Sequence, residues 1–237
     1  MDFFKKLKNI LFIDIETVPC AESYDKLSSR LQPLWDKKAN FIDKGASAKN
    51  IFDDKAGIYA EFGKVVTIAL GFFYKQDEKL CFKVKSFTNR DEQIVLREFK
   101  EMTDRLENKN HLLCAHNGKE FDFPFLCRRL LVNCIELPKI LQLRGKKPWE
   151  VMHYDTLEMW KFGDKKNFTS LDLLAALFDV PTSKDELDGS MVRDTYYKHN
   201  DLEKIARYCE RDVVLTAQIF LKYHCQPVID KESIYII

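Results

Sequence analysis

Apolar positions fall into short dense runs in the first half of the chain and into helical spacing toward its end. Residues 9–15, NILFIDI, are rich in β-formers and flanked by lysines before and Thr-Val-Pro after, which predicts a buried strand stopped at Pro19. Residues 20–63 are more polar and hold no single period; part of YDKLSSRLQPLWDKKA suits a helix, with Pro33 limiting its run. Two β-rich runs follow, 64–75 and 79–88, the second alternating Leu80, Phe82 and Val84 with polar partners. The short connection between them predicts an antiparallel hairpin.

Helical spacing then sets in. Ile94, Val95, Phe99, Met102 and Leu106 share one face over 91–107, with Thr88 and Asn89 as candidate N-caps. HLLCAH (111–116) reads as a strand, followed by Asn-Gly and a helix from about Phe123 to Val132. HYDTLEMW (153–160) is a further strand-to-helix passage. Residues 168–180 predict a helix with Thr169 and Asp172 spaced as a capping box, ending before Pro181. The last helix spans roughly 201–223, with Leu202, Ile205, Cys209, Val213 and Phe220 on one face. Strands that cluster early and later alternate with helices predict an α/β fold, a mixed five- to six-stranded sheet flanked by helices. A length of 237 residues is long for one ordinary domain and short for two, so 1–237 is expected to be a single domain with 20–63 as an insertion or cover.

Composition narrows the picture only a little. The 46% hydrophobic content fills a sizeable core, and 38 basic against 37 acidic side chains give a net charge of +1. That balance argues against coating nucleic acid by bulk charge, but not against gripping a strand end where metals supply positive charge. The seven cysteines are odd in number, form no Cys-x-x-Cys pair and lie mostly in apolar runs, which suggests reduced core residues and a cytoplasmic setting. The apolar core after the N-terminal lysines, Ile10 to Ile13, is too short for a signal peptide. The longest apolar stretch, Val65 to Tyr74, falls far below the roughly 20 residues that span a bilayer, so no membrane segment is expected.

The acidic residues carry the chemistry. Asp14 and Glu16, two apart on the first strand, emerge on one face, where they repel each other and resist desolvation unless cations intervene. A strand end reaching water would place them equally well. In HNGKEFD, Asp122 lies at the start of a helix, where it serves the helix dipole or projects over the sheet edge, and Asn117-Gly118 suits an ordinary turn. In RYCERD, Tyr208 and Asp212 stand four apart on the last helix and therefore on one face, with Asp212 among apolar neighbours.

Taken together and in this order, the three motifs resemble the DEDD superfamily of 3′-5′ exonucleases. Tyr208 points to its tyrosine branch, since Arg207 stands where the histidine branch places His. The likeness is nearest to the proofreading exonuclease domain of family B DNA polymerases and its free-standing relatives. It covers roughly 9–223, with 20–63 matching least. The resemblance implies a ribonuclease H-like fold and a two-metal phosphodiester hydrolysis using Mg²⁺ or Mn²⁺, hard cations suited to carboxylates. By the same likeness Asp14 would bridge both metals, Glu16 and Asp212 would complete the water-activating site, and Asp122 would hold the other metal. Tyr208 would orient the water, a phenol being too weakly acidic to act as base at neutral pH.

Substrate contacts implied by the resemblance are the backbone at Thr17, with Asn117 and Phe121 holding or wedging the terminal nucleotide. Core packing accounts for Phe121 as readily. Basic clusters at Arg144, Lys146 and Lys147 and at Lys161, Lys165 and Lys166 could track phosphates, though solvated loop lysines are the commoner case. His116 reads as a packed or surface residue, and Asp188-Gly189 as a turn of obscure purpose. The expected partner is nucleic acid, foremost single-stranded DNA 3′ ends, with any polymerase or repair partner unidentified. Competing readings are an exoribonuclease, a ribonuclease H-class endonuclease, and a noncatalytic binding module that keeps the fold.

Overall fold

The computed structural model describes residues 3–106, 111–164, 168–182 and 187–237. A short helix α1 (Phe3–Leu7) leads into β1 (Ile10–Pro19), followed by α2 (Gln32–Ile42) and α3 (Ala48–Lys55). The hairpin β2 (Gly63–Gln76) and β3 (Lys79–Thr88) precedes α4 (Glu92–Asp104), β4 (Leu112–Ala115) and α5 (Asp122–Val132). Next come β5 (Tyr154–Asp155), α6 (Thr156–Lys161), α7 (Leu171–Leu177), α8 (Val192–Asp194), α9 (Leu202–Tyr223) and β6 (Ile234–Ile236). The strands form one six-stranded mixed sheet in the order β5-β4-β1-β2-β3-β6. β1 pairs antiparallel with β2 and parallel with β4. The expected hairpin closes through Asp77 and Glu78, both at positive φ as a tight two-residue turn demands.

Alternation along β1 explains the layering. Leu11, Ile13 and Ile15 join Val95, Phe99, Phe123 and Leu126 of α4 and α5 on one face. Ile10 and Phe12 join Phe82, Cys209, Val213 and Phe220 on the other, beneath α9. The helix can lie this close because position 71 of β2 is glycine: a Cβ there would sit 2.4 Å from Phe82 Cζ and 2.8 Å from Val213 Cγ1. Residues 20–63 fold around a small aromatic core of their own. Trp35 is fully buried against Phe52 and Phe62 and donates from Nε1 to the Ala48 carbonyl at 2.8 Å. Among the described residues no helix is long and apolar enough to cross a membrane.

Several local expectations are corrected. Pro33 does not limit a helix but opens α2, sitting in the first turn where no backbone N–H is needed. Asp91, rather than Thr88 or Asn89, caps α4 by accepting from Gln93 N–H; Asn89 instead accepts from Asp91 N–H. Ser170, not Thr169, caps α7, because Thr169 is buried and its carbonyl is taken by His116. β6 was not foreseen; three residues offer no period to read.

One buried ion pair ties the second layer together. Arg129 on α5 donates Nε and Nη2 to the two carboxylate oxygens of Glu92 on α4, at 2.8 and 2.6 Å. Glu92 also accepts from Val65 N–H and Asn133 Nδ2, while Arg129 Nη1 reaches the Ala60 carbonyl. Removing one partner strands a charge away from water. Arg129→Met is therefore expected to cost about 3–5 kcal/mol in urea denaturation, and Arg129→Lys to recover only part, since Lys cannot make the fork.

Candidate active site

Asp14 and Glu16 continue the Ile10–Phe12 face of β1 past the end of the core, opposite Ala69 and Thr67 of β2. The ladder is irregular between Glu16 and Thr17, where the pairing skips Val66. α9 crosses above, its Cys209 Sγ donating to the Asp14 carbonyl at 3.3 Å. Asp212, nearly one turn on, brings a carboxylate oxygen to the same spot: one oxygen each from Asp14, Glu16 and Asp212 lies within 4.8 Å of the others. Asp122 enters from the other layer at the start of α5, buried, with the Ile15 N–H donating to it.

The electrostatics of this crowding are severe. Burial, then the charges of Glu16, Asp122 and Asp212, push the Asp14 carboxyl well above the ordinary range. Burial followed by Asp212 and Asp122 does the same to Glu16. Burial is also the main cause at Asp122, pushed up to about 7, where the charge of Asp155 adds to it. Asp212 rises to about 6 through burial, restrained by a hydrogen bond from the Tyr208 hydroxyl. Asp14 Oδ2 and Asp122 Oδ1 are buried without a hydrogen-bond partner. Hard oxygen donors, orphaned and mutually repelling, are what a divalent cation satisfies. Tyr208 is pushed upward by burial and by Asp212, Glu16 and Asp14, so its hydroxyl stays protonated and donates to Asp212.

The remaining sequence candidates separate. Thr17 spends its hydroxyl on the Gly57 carbonyl at 2.8 Å, anchoring 20–63 beside the site. Asn117 takes a left-handed φ of 61° and donates its N–H to Asp155 Oδ1 at 3.0 Å. Gly118 beside it admits no side chain, for a Cβ would lie 2.4 Å from that of Ala115. Phe121 is partly buried and packs on Phe125, ring centroids 5.4 Å apart. His116 is held by Thr156 and Thr169, and burial lowers its pKa. Arg144, Lys146 and Lys147 are exposed on the loop before β5. Lys165 and Lys166 lie outside the described residues, while Asp188 caps the turn at Gly189–Met191 by accepting from Ser190 N–H.

Two acids went unrecognised in the sequence as members of this site. Asp155, at the end of β5, is buried and accepts from the backbone of Asn117, Lys119, Leu157 and Glu158, pinning the turn that delivers Asp122. Its signal was the Asp-Thr-Leu step from strand to helix, an N-cap pattern. Asp172, exposed in the first turn of α7, raises the pKa of Asp212 through its charge.

Residues 58–234 match the family described as a predicted 3′-5′ exonuclease related to the exonuclease domain of PolB. The chain belongs to this family. The matched span contains Asp122, Tyr208 and Asp212; Asp14 and Glu16 precede it and join them through the sheet. The family B DNA polymerase of the hyperthermophilic archaeon Pyrobaculum calidifontis shares the fold, with a TM-score of 0.56 and 16% identity over 90% of this chain. The chain spans 24% of that polymerase. No curated protein matches in sequence. The six-stranded mixed sheet with its flanking helices is thus the ribonuclease H-like arrangement of such exonuclease domains.

The raised carboxyl pKa values fix a sign for stability. A group whose folded pKa exceeds its unfolded value destabilises the fold while ionised, and that penalty fades as pH falls through the folded pKa. In chelator, Asp122→Asn should therefore melt above wild type at pH 8, with the gap closing toward pH 5 as Asp122 takes up its proton near 7. A variant that melts below wild type across the whole range would show that the charge is satisfied within the fold.

Proposed function

We propose that this chain is a divalent-metal-dependent 3′-5′ exonuclease acting on single-stranded DNA ends through Asp14, Glu16, Asp122 and Asp212, assisted by Tyr208. The observation that carries it is the meeting of three carboxylate oxygens within 4.8 Å beside the orphaned oxygens of Asp14 and Asp122. Mg²⁺ or Mn²⁺ held there would supply Lewis acidity, easing deprotonation of a water and neutralising charge on the leaving 3′-oxygen. Asp14, Glu16 and Asp212 would hold such an ion directly, and Asp122, whose charge couples to Asp14 and Glu16, would complete the acidic set.

The residues divide the remaining work. Tyr208 keeps its proton and donates a hydrogen bond to Asp212, so its oxygen is left to accept from and aim the attacking water, while its ring is steadied by the Arg211 guanidinium 5.4 Å from the centroid. Cys209 holds the Asp14 backbone against α9, so the two carboxylate-bearing elements keep their spacing. Asp155 fixes the 116–121 turn, positioning Asp122 and leaving Asn117 at the rim to meet the terminal sugar. The near-neutral charge of the chain suits gripping a short strand end rather than coating long tracts through bulk charge.

With Mn²⁺ or Mg²⁺ the purified protein is expected to shorten 5′-labelled single-stranded DNA stepwise from the 3′ end, and chelator or Asp14→Ala to abolish the ladder. Absence of any cleavage of DNA and RNA under these conditions contradicts the enzymatic reading. Tyr208→Phe should lower kcat by about 10²- to 10⁴-fold, the range of positioned proton-bearing groups, while Mn²⁺ affinity is retained. Parallel loss of affinity would reassign Tyr208 to metal binding.

A further inference from the structure

Phe168 is 67% exposed, yet its surroundings hold it firmly. Thr169 beside it is buried, and Ser170 caps α7, which packs through Leu174 and Ala175 on Leu215 and Ile219 of α9. The ring meets His116 edge to face, centroids 6.2 Å apart at 73°. His116 cannot swing away: Nε2 donates to the Thr169 carbonyl at 3.0 Å, leaving Nδ1 to accept from the Thr156 hydroxyl at 2.9 Å. The ring is thus seated against an anchored imidazole and left largely open to solvent.

Its position follows from strand register. β1 and β4 run parallel with Phe12 opposite Cys114, and both side chains pack on the α9 side. Two residues further along come Asp14, still within β1, and His116, just past the end of β4, both on that side by continued alternation. The exposed ring on His116 therefore falls on the carboxylates' side of the sheet. Scattered exposed apolar residues are ordinary. A fixed aromatic face at the rim of a phosphodiester-cleaving centre is a surface on which any base can stack.

We propose that Phe168 is the base-stacking platform for the 3′-terminal stretch of substrate, a substrate-binding residue that makes cleavage indifferent to base identity. This rests on the exonuclease reading above. It also reassigns the stacking role expected of Phe121, whose ring is engaged with Phe125.

The test is steady-state kinetics of wild type, Phe168→Ala and Phe168→Trp in Mn²⁺, on single-stranded oligonucleotides intact or abasic at each of the last few 3′ positions. A base stacked equally before and during reaction contributes uniform binding. Phe168→Ala should raise KM by about 5- to 100-fold, with kcat within about twofold and the melting temperature unchanged. Phe168→Trp should restore KM. At one position an abasic nucleotide should raise wild-type KM comparably and add nothing to the Phe168→Ala defect. An unchanged KM in Phe168→Ala, or a defect that Trp fails to restore, overturns the assignment while wild-type activity leaves the exonuclease reading standing. A wild type that cleaves no substrate overturns both.

Discussion

Three carboxylates converging over β1, with Asp122 close enough to couple to them by charge and two of the four acids carrying buried unpaired oxygens, are the constraint around which the chain is arranged. Ionised carboxylates repel and lose hydration on burial, so nothing in their own chemistry brings them together. The work is done by apolar layers on both faces of the sheet. Phe12, Phe82, Val213 and Phe220 fasten α9 to β1, and Phe123 and Leu126 fasten α5 to its reverse face. Each element carries an acid to the site: α9 carries Asp212 in its middle, α5 carries Asp122 at its start, and β1 carries Asp14 and Glu16 along its length. Stability made elsewhere is spent on a centre that folds under electrostatic strain, as functional sites commonly do.

Small backbone devices decide whether the acids meet. Asp155 gathers four N–H donors and so shapes the turn between β4 and α5. Gly118 lets that turn close over Ala115, and Gly71 lets α9 approach the sheet. The Glu92–Arg129 pair joins α4 to α5 and, through Val65 and Ala60, to the start of β2. None of these residues is among the three whose oxygens converge.

Much of this was legible in the sequence because it rests on period. Alternation in NILFIDIE places Asp14 and Glu16 on one face without knowledge of any other strand. The four-residue spacing of Tyr208 and Asp212 survives into α9 for the same reason. What stayed hidden depends on contacts distant in sequence. Asp155 caps α6, but its hold on Asn117, 38 residues earlier, leaves no local trace. The partnership of Glu92 with Arg129 is of the same kind, and β6 is too short to show alternation. Pro33 misled because one proline either opens or closes a helix, and only the packing of Trp35 behind it settles which. Phe168 could not be told from a core aromatic until its exposure was seen.

The central claim is that these acids form one metal centre, and calorimetric titration of the metal-free protein with Mn²⁺ tests it most directly. The account predicts saturable binding near neutral pH accompanied by proton release, because carboxyls with raised pKa values must ionise to become ligands. It predicts further that Asp14→Ala loses that binding. Failure of the intact protein to bind Mn²⁺, or binding indifferent to Asp14, would contradict it.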